Sequence, residues 1–338
     1  MKIIRPVQKR DLQGLTDLAS TMSLGVTSLS KKKAHLKVKI ARSIAAFEEI
    51  GKKKITPEIF LFVLEDLETG EILGSSQIIS KSGVNIDHYF YQIVHEPFQK
   101  KEAHLNPTQV TLLKPTKLKG GPSKLAGLYL HPLARKTGFG RILSFCRFHL
   151  IADFPRSFSP SVIAVMRGVI RKDLSSPFWD AVGSHFCKRS FQDAIEKDAE
   201  TPEFHYNVVP DYPIYVNLLP KKAQEVVART HPNTRAAAHL LMKNGFVDSG
   251  MVDLFDGGPI LIAKKEDIHL IQNSRVVKVD AIQPRIVARQ QWMASTTSAD
   301  HRTTICNCQV EKNCAIITAE TAKALEVVPG ETLRLSEY

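Results

Sequence analysis

A short glycine-containing segment near the middle of this 338-residue chain has the residues of an anion-binding site. Arg135, Gly138 and Gly140 follow the spacing Arg-x-x-Gly-x-Gly, and Lys136 and Arg141 lie beside them. Where such a segment begins a helix, unpaired backbone amides and the positive end of the helix dipole attract anions. Glycine also lets the backbone approach an oxygen-rich group, because it has no side chain. The segment therefore predicts a site for a pyrophosphate.

The elements around this segment indicate the fold that must position it. An apolar stretch over residues 125–130 predicts a strand before the segment, and an apolar run to about residue 151 predicts a helix after it. Further strands are predicted at residues 3–7, 59–65, 71–80 and 161–167, and helices at residues 12–19, 36–47 and 176–186. Asp11 is the predicted N-cap of the first helix, and Gly70 the turn of a hairpin. This alternation indicates an α/β fold.

The second part of the chain partly repeats this pattern. A strand at residues 212–218, a helix from Asn233 and Thr234 to Lys243, and strands at residues 252–255 and 259–263 are predicted. After about residue 270 the predicted strands are short, at residues 276–279, 285–288, 303–310, 314–318 and 332–335. We therefore predict two α/β halves, residues 1–200 and 201–268, and a small all-β subdomain, residues 269–338.

Composition limits the classes of function that need to be considered. The chain has 46 Lys and Arg against 34 Asp and Glu, a net charge of +12 that would suit nucleic acid, an anionic membrane or a small polyanionic ligand.

Five scattered cysteines favour reduced thiols and a cytoplasmic location. Cys306, Cys308 and Cys314 with His301 could bind a metal ion, but buried strand residues are the better interpretation, so we expect no metal. No signal peptide and no run of 18 apolar residues is present, so we expect no membrane span.

The lysine-rich residues 31–54 are the part of the chain that nucleic acid would most readily contact. Leu36, Ile40, Ile44 and Phe47 form an apolar stripe there, and the basic side chains occupy the other faces of the helix. Charge runs usually face water, and Phe47, the one aromatic residue in the region, belongs to the apolar stripe. We therefore predict a solvated helix face without nucleic acid.

The strand, the Arg135-x-x-Gly138-x-Gly140 segment and the following helix resemble the acetyl-CoA-binding motif of the GNAT acyltransferase superfamily. There the loop holds the CoA pyrophosphate, and the preceding strand pairs its backbone with the pantetheine arm. The order of elements agrees, whereas a dinucleotide-binding Gly-x-Gly-x-x-Gly and a P-loop are absent. The resemblance implies two GNAT-like halves, of which only the first keeps the loop, with Arg135, Lys136, Gly138 and Gly140 binding the cofactor.

Eight phrases spread over about residues 3–335 resemble one family, the arginine N-succinyltransferases. In chain order these phrases are Ile-Arg-Pro-Val from residue 4, Gly-Val-Thr-Ser-Leu from 25, Phe-Val-Leu-Glu-Asp from 62 with Glu-Thr-Gly from 68, Met-Arg-Gly-Val from 166, Ser-Pro-Phe-Trp from 176, Pro-Ile-Tyr from 213, His-Pro at 231, and Phe-Asp-Gly-Gly-Pro from 255. They keep the family's order, so this resemblance is more specific than that of the loop.

This family resemblance implies transfer of succinyl from succinyl-CoA to the α-amino group of L-arginine. The family's succinyl-CoA-binding leucine matches Leu128, and its catalytic histidine, a proton donor, matches His231. A histidine can accept the proton that the amine loses or donate the one that the thiolate gains, and a position before a helix N-terminus would keep it neutral. Thioester aminolysis needs no metal and no covalent enzyme intermediate. The remaining candidate histidines are expected to be structural or on the surface: His131, His185, His205 and His239.

Two positions depart from the family pattern, since Val165 and Asn207 stand where a glutamate is usual. A guanidinium group favours a carboxylate partner, so the acceptor side is altered more than the CoA side. Asp173, Asp211 and Asp256 are the candidates to replace the lost carboxylates. The alternatives are therefore an N-acyltransferase for another amine such as ornithine, or a non-catalytic relative that binds acyl-CoA or nucleic acid. The chain would act alone or in a homo- or hetero-oligomer.

Overall fold

The computed structural model describes residues 1–22, 29, 32–52, 56–84, 86–98, 108–287 and 290–338. Within these ranges the strands join into one mixed sheet, and no described helix is long and apolar enough to cross a bilayer. Three parts of the sequence discussed above lie outside the described residues: Gly-Val-Thr-Ser of the phrase from residue 25, the lysines at 31, 53 and 54 of the basic stretch, and residue 288 of a predicted strand.

The strands of this sheet come from the whole length of the chain. They are β1 (Lys2–Pro6), β2 (Ile59–Asp66), β3 (Ile72–Ile79), β4 (Tyr89–Phe98), β5 (Thr108–Lys117), β6 (Ser123–Leu130), β7 (Ser161–Val165), β8 (Ile214–Tyr215), β9 (Val247–Val252), β10 (Pro259–Lys264), β11 (Arg275–Gln283), β12 (Gln291–Thr296), β13 (Thr303–Glu311), β14 (Cys314–Thr318) and β15 (Thr332–Glu337). Their spatial order is β12-β15-β11-β14-β13-β1-β2-β3-β6-β7-β10-β9-β4-β5-β8.

Helices pack on the sheet and on one another. They are α1 (Leu12–Ser20), α2 (Lys33–Glu49), α3 (Phe139–Asp153), α4 (Pro177–Ala181), α5 (Ser184–Cys187), α6 (Phe191–Glu200), α7 (Lys221–Gln224), α8 (Arg235–Met242), α9 (His269–Asn273) and α10 (Ala319–Leu325). Side chains alternate between the two faces of a strand. On β2, Phe62 packs in the cluster that contains α3, and Leu61 packs in the cluster that contains α1.

The elements around the predicted pyrophosphate loop are confirmed. The hairpin of β2 and β3, the strand β6, the helix α3 and the strand β7 occur in the predicted order. Asp11 precedes α1 as predicted, but its carboxylate bonds Arg5 and the backbone of Gln8 and caps no amide of α1. Arg5 also donates to Glu65 at 2.5 Å, so a buried guanidinium with two carboxylates fastens the start of the chain to β2.

Other boundaries were wrong in detail. The strand predicted at residues 212–218 is reduced to Ile214–Tyr215, because a 3-10 turn over Val216–Leu218 follows at once. The helix predicted at residues 176–186 is interrupted after Ala181, and the strand predicted at residues 252–255 ends at Val252. The hairpin of β4 and β5 and the helix α6 were not predicted.

The strand β6 separates from β7 partway along its length. The parallel pairing runs from Ser123 opposite Val162 to Leu125 opposite Ala164, and β6 then continues to Leu130 without pairing with β7. On its other side, the pairing of β6 with β3 shifts register between Ser75 and Gln77, where Gly127 has a positive φ of 65°. The result is an opening in the sheet beside the second half of β6.

The strands of the predicted second half lie in the same sheet as those of the first, since β10 pairs with β7 over five residue pairs. The predicted subdomain at residues 269–338 contains the helices α9 and α10 besides its strands, so the prediction of an all-β subdomain was wrong. Residues 285–287 form no strand, whereas Gln291–Thr296 is a strand that was not predicted. Cys306 and Cys308 are buried in its core. The division of the chain at residues 200 and 268 stays a prediction.

Candidate active site

The loop between β6 and α3 has the backbone shape of an anion site. Gly138 precedes α3 with φ 86°, and no side chain caps the first amides of the helix. Lys136 also has a positive φ, 63°, which is uncommon for a residue with a side chain. The side chains of Arg135 and Lys136 are exposed, and Arg135 Nε donates to the carbonyl of Leu130 at 3.4 Å. Amides and two cations thus surround the start of α3.

The two glycines of the loop have different roles. At Gly138 an added Cβ would be strained by the positive φ and would clash with Oη of Tyr338. At Gly140 an added Cβ would meet only Leu130 Cδ2, at an ordinary 3.5 Å. The guanidinium of Arg141 lies over the Tyr338 ring, with Cζ 5.0 Å from the ring centroid. No sequence pattern indicated this contact, because the two residues lie almost 200 positions apart.

A cavity of about 480 Å³ occupies the opening between β6 and β7. Ala126, Gly127 and Leu128 line one side of it, and Val165, Met166 and Arg167 line the other. Thr234, at the start of α8, and Ser144, on α3, complete the wall near these strands. The predicted Leu128 therefore lies on an unpaired strand edge that faces a cavity.

The charges of this cavity are unevenly distributed. Asp198, Asp253 and Asp256 line it together with Lys124, and burial lowers the pKa of Lys124 against the attraction of Asp253 and Asp198. Burial and the charge of Asp253 raise the pKa of Asp256 to about 7. Both oxygens of Asp256 accept backbone amides, from Gly168 at 2.8 Å and Gly258 at 2.9 Å. One part of the cavity is therefore acidic.

Two further cations, Lys39 and Arg147, line the cavity. Burial lowers the pKa of Arg147 to about 10, and burial with the nearby Arg42 lowers that of Lys39 to about 8. Arg147 could have been noticed in the sequence as a cation among apolar residues in the middle of the predicted helix. Of the carboxylates proposed to replace the missing glutamates, Asp256 is in the cavity, whereas Asp173 and Asp211 are exposed elsewhere.

His231 is not among the described residues that line this cavity, but it is bonded to one of them. Its backbone amide donates to the carbonyl of Arg167 at 2.8 Å, which ties the segment before α8 to the segment that follows β7. Burial, followed by the positive charges of Arg167 and Arg235, lowers the pKa of His231 below its usual value of 6.5. The imidazole is therefore neutral near pH 7, mainly through burial and neighbouring cations.

The hydrogen bonds of His231 identify the nitrogen that carries its proton. Nδ1 accepts the backbone amide of Asn233 at 3.1 Å, so in the neutral ring the hydrogen is on Nε2. His131 has nearly the same backbone, with φ −52° and ψ 138° against −53° and 139°, and accepts the amide of Leu133 in the same way. The two His-Pro segments are thus locally alike, but only His231 adjoins Arg167.

With this geometry established, comparisons with known proteins identify the family. A sequence model described as "Arginine N-succinyltransferase beta subunit" matches residues 2–270. This chain belongs to the arginine N-succinyltransferase family. The arginine N-succinyltransferase of Escherichia coli (strain 55989 / EAEC) is 33% identical over 337 residues, 99% of this chain and 97% of that protein. The protein of that name from Yersinia enterocolitica is 32% identical over 338 residues, again 99% of this chain.

A solved structure agrees with the family membership over the whole chain. The arginine/ornithine succinyltransferase subunit AI from Pseudomonas aeruginosa superposes with a TM-score of 0.89 and 28% sequence identity. The match covers 100% of this chain and 98% of that one. The predicted arginine N-succinyltransferase family and its α/β, GNAT-like acyltransferase fold are therefore confirmed. The roles assigned to His231, Leu128 and the loop residues stay predictions.

Proposed function

We propose that this member of the arginine N-succinyltransferase family transfers the succinyl group of succinyl-CoA to the α-amino group of L-arginine. The observation that carries the proposal is the position of the cavity. It is lined by the edge of β6 that does not pair with β7, by the residues at and after the end of β7, and by Ser144 of α3. The backbone amide of His231 donates to Arg167, which belongs to the cavity wall. A long acyl-CoA and a small amine can meet there.

The donor half of the proposed reaction uses β6 and the loop that follows it. The pyrophosphate of CoA would bind the first amides of α3, with Arg135 and Lys136 adding positive charge. The edge of β6 from Ala126 to Leu128, which does not pair with β7, would pair with the amides of the pantetheine arm, and Leu128 would contact the arm. CoA is thus a co-substrate that stays noncovalently bound.

The acceptor half uses the acidic part of the cavity. A guanidinium group pairs favourably with carboxylates, and Asp198, Asp253 and Asp256 are the three that line this cavity among the described residues. They would compensate for Val165, which also lines the cavity and stands at one of the two departures from the family pattern. Asn207, at the other, is exposed outside it.

The chemistry requires one bond to form and one to break. The neutral amine attacks the thioester carbon, the C–N bond forms, the C–S bond breaks, and one proton moves overall from nitrogen to sulfur. Nε2–H of His231 would donate a proton to the leaving sulfur and regain one from the nitrogen that was acylated. In the neutral ring Nδ1 accepts a hydrogen bond, so Nε2 carries the hydrogen and can donate it.

Ornithine is the second candidate acceptor, because the similar Pseudomonas aeruginosa protein is named an arginine/ornithine succinyltransferase subunit. An ornithine side chain ends in a compact ammonium, whereas arginine ends in a planar guanidinium that can bond two carboxylates at once. Three clustered carboxylates favour the guanidinium. We therefore place arginine first and ornithine second.

The test is thiol release by the purified chain with succinyl-CoA and a panel of amines. L-arginine is expected to give the highest kcat/KM, ornithine a lower one, and N-α-acetylarginine none, because its α-nitrogen is blocked. Thiol release with N-α-acetylarginine would contradict attack by the α-amine. Intact succinyl-CoA binding without thiol release for any amine would favour the non-catalytic alternative. The cytoplasmic location and any homo- or hetero-oligomer stay predictions.

A further inference from the structure

A buried guanidinium lines the active-site cavity without a carboxylate to balance it. Arg147 extends from the middle of α3 and is 2% exposed. Its acceptors are all neutral: the carbonyl and hydroxyl oxygens of Ser144 and the carbonyls of Gln77 and Ala126. In the part of the chain that the structure describes, no Asp or Glu forms an ion pair with it. A charge buried in this way is costly unless an anion joins it.

The hydrogen bonds of Arg147 leave donors available to such an anion. The bonds from Nε and Nη2 to Ser144 are both 2.9 Å, whereas those from Nη1 to Gln77 O and Ala126 O are 3.3 and 3.4 Å. A guanidinium has five N–H groups, and the last two distances are long for N–H···O bonds. One hydrogen on Nη2 has no acceptor among the described residues, and two on Nη1 are held weakly.

The side chain of Gln77 provides a second, independent observation at the same place. Gln77 is 4% exposed and lines the cavity, and its buried Oε1 has no hydrogen-bond partner in the described part of the chain. The side chain lies under Gly127, where an added Cβ would come within 2.9 Å of Gln77 Cγ. Rotation of the amide by half a turn presents its NH₂ group instead of Oε1, so the group can donate to an anion.

The position of this pair relative to the donor substrate indicates which anion it takes. Gln77 and Ala126 are adjacent to Gly127 and Leu128, the part of β6 along which the pantetheine arm would lie and beside which it would end in the thioester. Lys124, by contrast, is attracted by Asp198 and Asp253 in the acidic part of the cavity. Arg147 is a cation next to the expected position of the acyl group, and no carboxylate of the described residues pairs with it.

We propose that Arg147 and the Gln77 amide bind the free carboxylate of the acyl group, so that the cavity selects a dicarboxylic acyl-CoA over one that ends in a methyl group. This inference rests on the proposed use of an acyl-CoA donor. The competing explanation is that Arg147 only satisfies the carbonyls freed by the register shift between β3 and β6. The two differ in whether Arg147 distinguishes acyl groups.

The experiment measures dissociation constants by calorimetry for succinyl-CoA and butyryl-CoA, with no amine present. Butyryl-CoA has the same chain length and a methyl group in place of the carboxylate. The unaltered protein is expected to bind succinyl-CoA about 100-fold more tightly, the range for charged hydrogen bonds in a buried site. In Arg147→Met the two constants are expected to agree within about threefold.

A second variant keeps the result decisive if Arg147→Met does not fold. Gln77→Glu has nearly the same shape, and its carboxylate would pair with Arg147 and repel the carboxylate of the ligand. It is expected to weaken succinyl-CoA binding and leave butyryl-CoA binding unchanged. Arg156→Met, the same chemical change at an exposed residue outside the cavity, is the matched control and should behave like the unaltered protein.

Two results would overturn the inference: equal affinity of the unaltered protein for both thioesters, or an equal loss for both in Gln77→Glu. Failure of the proposed function looks different. In that case the unaltered protein would prefer succinyl-CoA in calorimetry and still release no thiol with L-arginine. The carboxylate subsite would then stand, and the acceptor assignment would fall.

Discussion

Replacing His231 by alanine is expected to lower kcat by a factor of about 10²–10⁴ and to leave the dissociation constant for CoA unchanged. The variant removes the Nε2–H group but keeps the backbone amide that bonds the carbonyl of Arg167. It also frees the Asn233 amide, which is exposed and can bond water instead. The loss in kcat corresponds to about 3–5 kcal/mol of transition-state stabilisation, at 1.36 kcal/mol for each factor of ten.

The assay is thiol release at saturating succinyl-CoA and L-arginine, with CoA affinity measured separately by calorimetry. His131→Ala is the matched control, because His131 has the same backbone angles and the same Nδ1 bond to a following amide. That control is expected to keep kcat within about threefold, since a surface change has little effect.

His231→Gln separates proton transfer from hydrogen bonding. A glutamine amide places an N–H near the position of Nε2 but cannot give up a proton at neutral pH. If His231 transfers a proton, His231→Gln is expected to be within about tenfold of His231→Ala. A kcat near that of the unaltered protein in either variant would refute the assignment, as would an equal loss in His131→Ala.

Three further perturbations follow from the same structure. Arg235→Gln removes a cation that lowers the pKa of His231, so the pKa of His231 should rise. Because the neutral imidazole is the active form, the acid limb of the pH profile of kcat/KM should move to higher pH. An acid limb at the same pH would contradict this. Arg135→Ala is expected to weaken CoA binding about 10- to 100-fold and more so at low salt, with kcat at saturation retained; an unchanged dissociation constant would remove Arg135 from the site. Arg5→Leu leaves the buried Asp11 without its cation and Glu65 with only the exposed Arg10, so urea unfolding should report a loss of about 3–5 kcal/mol; a loss below about 1 kcal/mol would contradict this.

Sequence reasoning located the donor-binding segment because its signals are local. A strand, two glycines with adjacent cations, and an apolar helix are contiguous between residues 123 and 153, and each has its own pattern. The hairpin of β4 and β5 was missed because Pro97 and Pro115 interrupt its strand signals, although the backbone pairing accommodates both. The strand predicted at residues 212–218 was too long, because the apolar pattern does not show that only Ile214 and Tyr215 pair with β5 before the chain turns.

The cavity could not be predicted, because its walls come from distant parts of the chain. Gln77 and Arg147 are 70 positions apart and meet only where the register of β3 and β6 shifts. Asp253 and Asp256 are close in sequence, but their place beside Lys124 depends on β9 and β10 joining the sheet next to β7. Sequence patterns reveal the periodicity of one element and not the distance between two.

The most direct test of the proposed function is identification of the product formed from succinyl-CoA and L-arginine labelled with ¹⁵N at the α-nitrogen. We expect one equivalent of free CoA thiol for each N-succinylarginine, with the labelled nitrogen appearing as an amide in the NMR spectrum and the guanidinium signals unchanged. Thiol release without that amide, or no product from a protein that binds succinyl-CoA, would contradict succinyl transfer to the α-amino group.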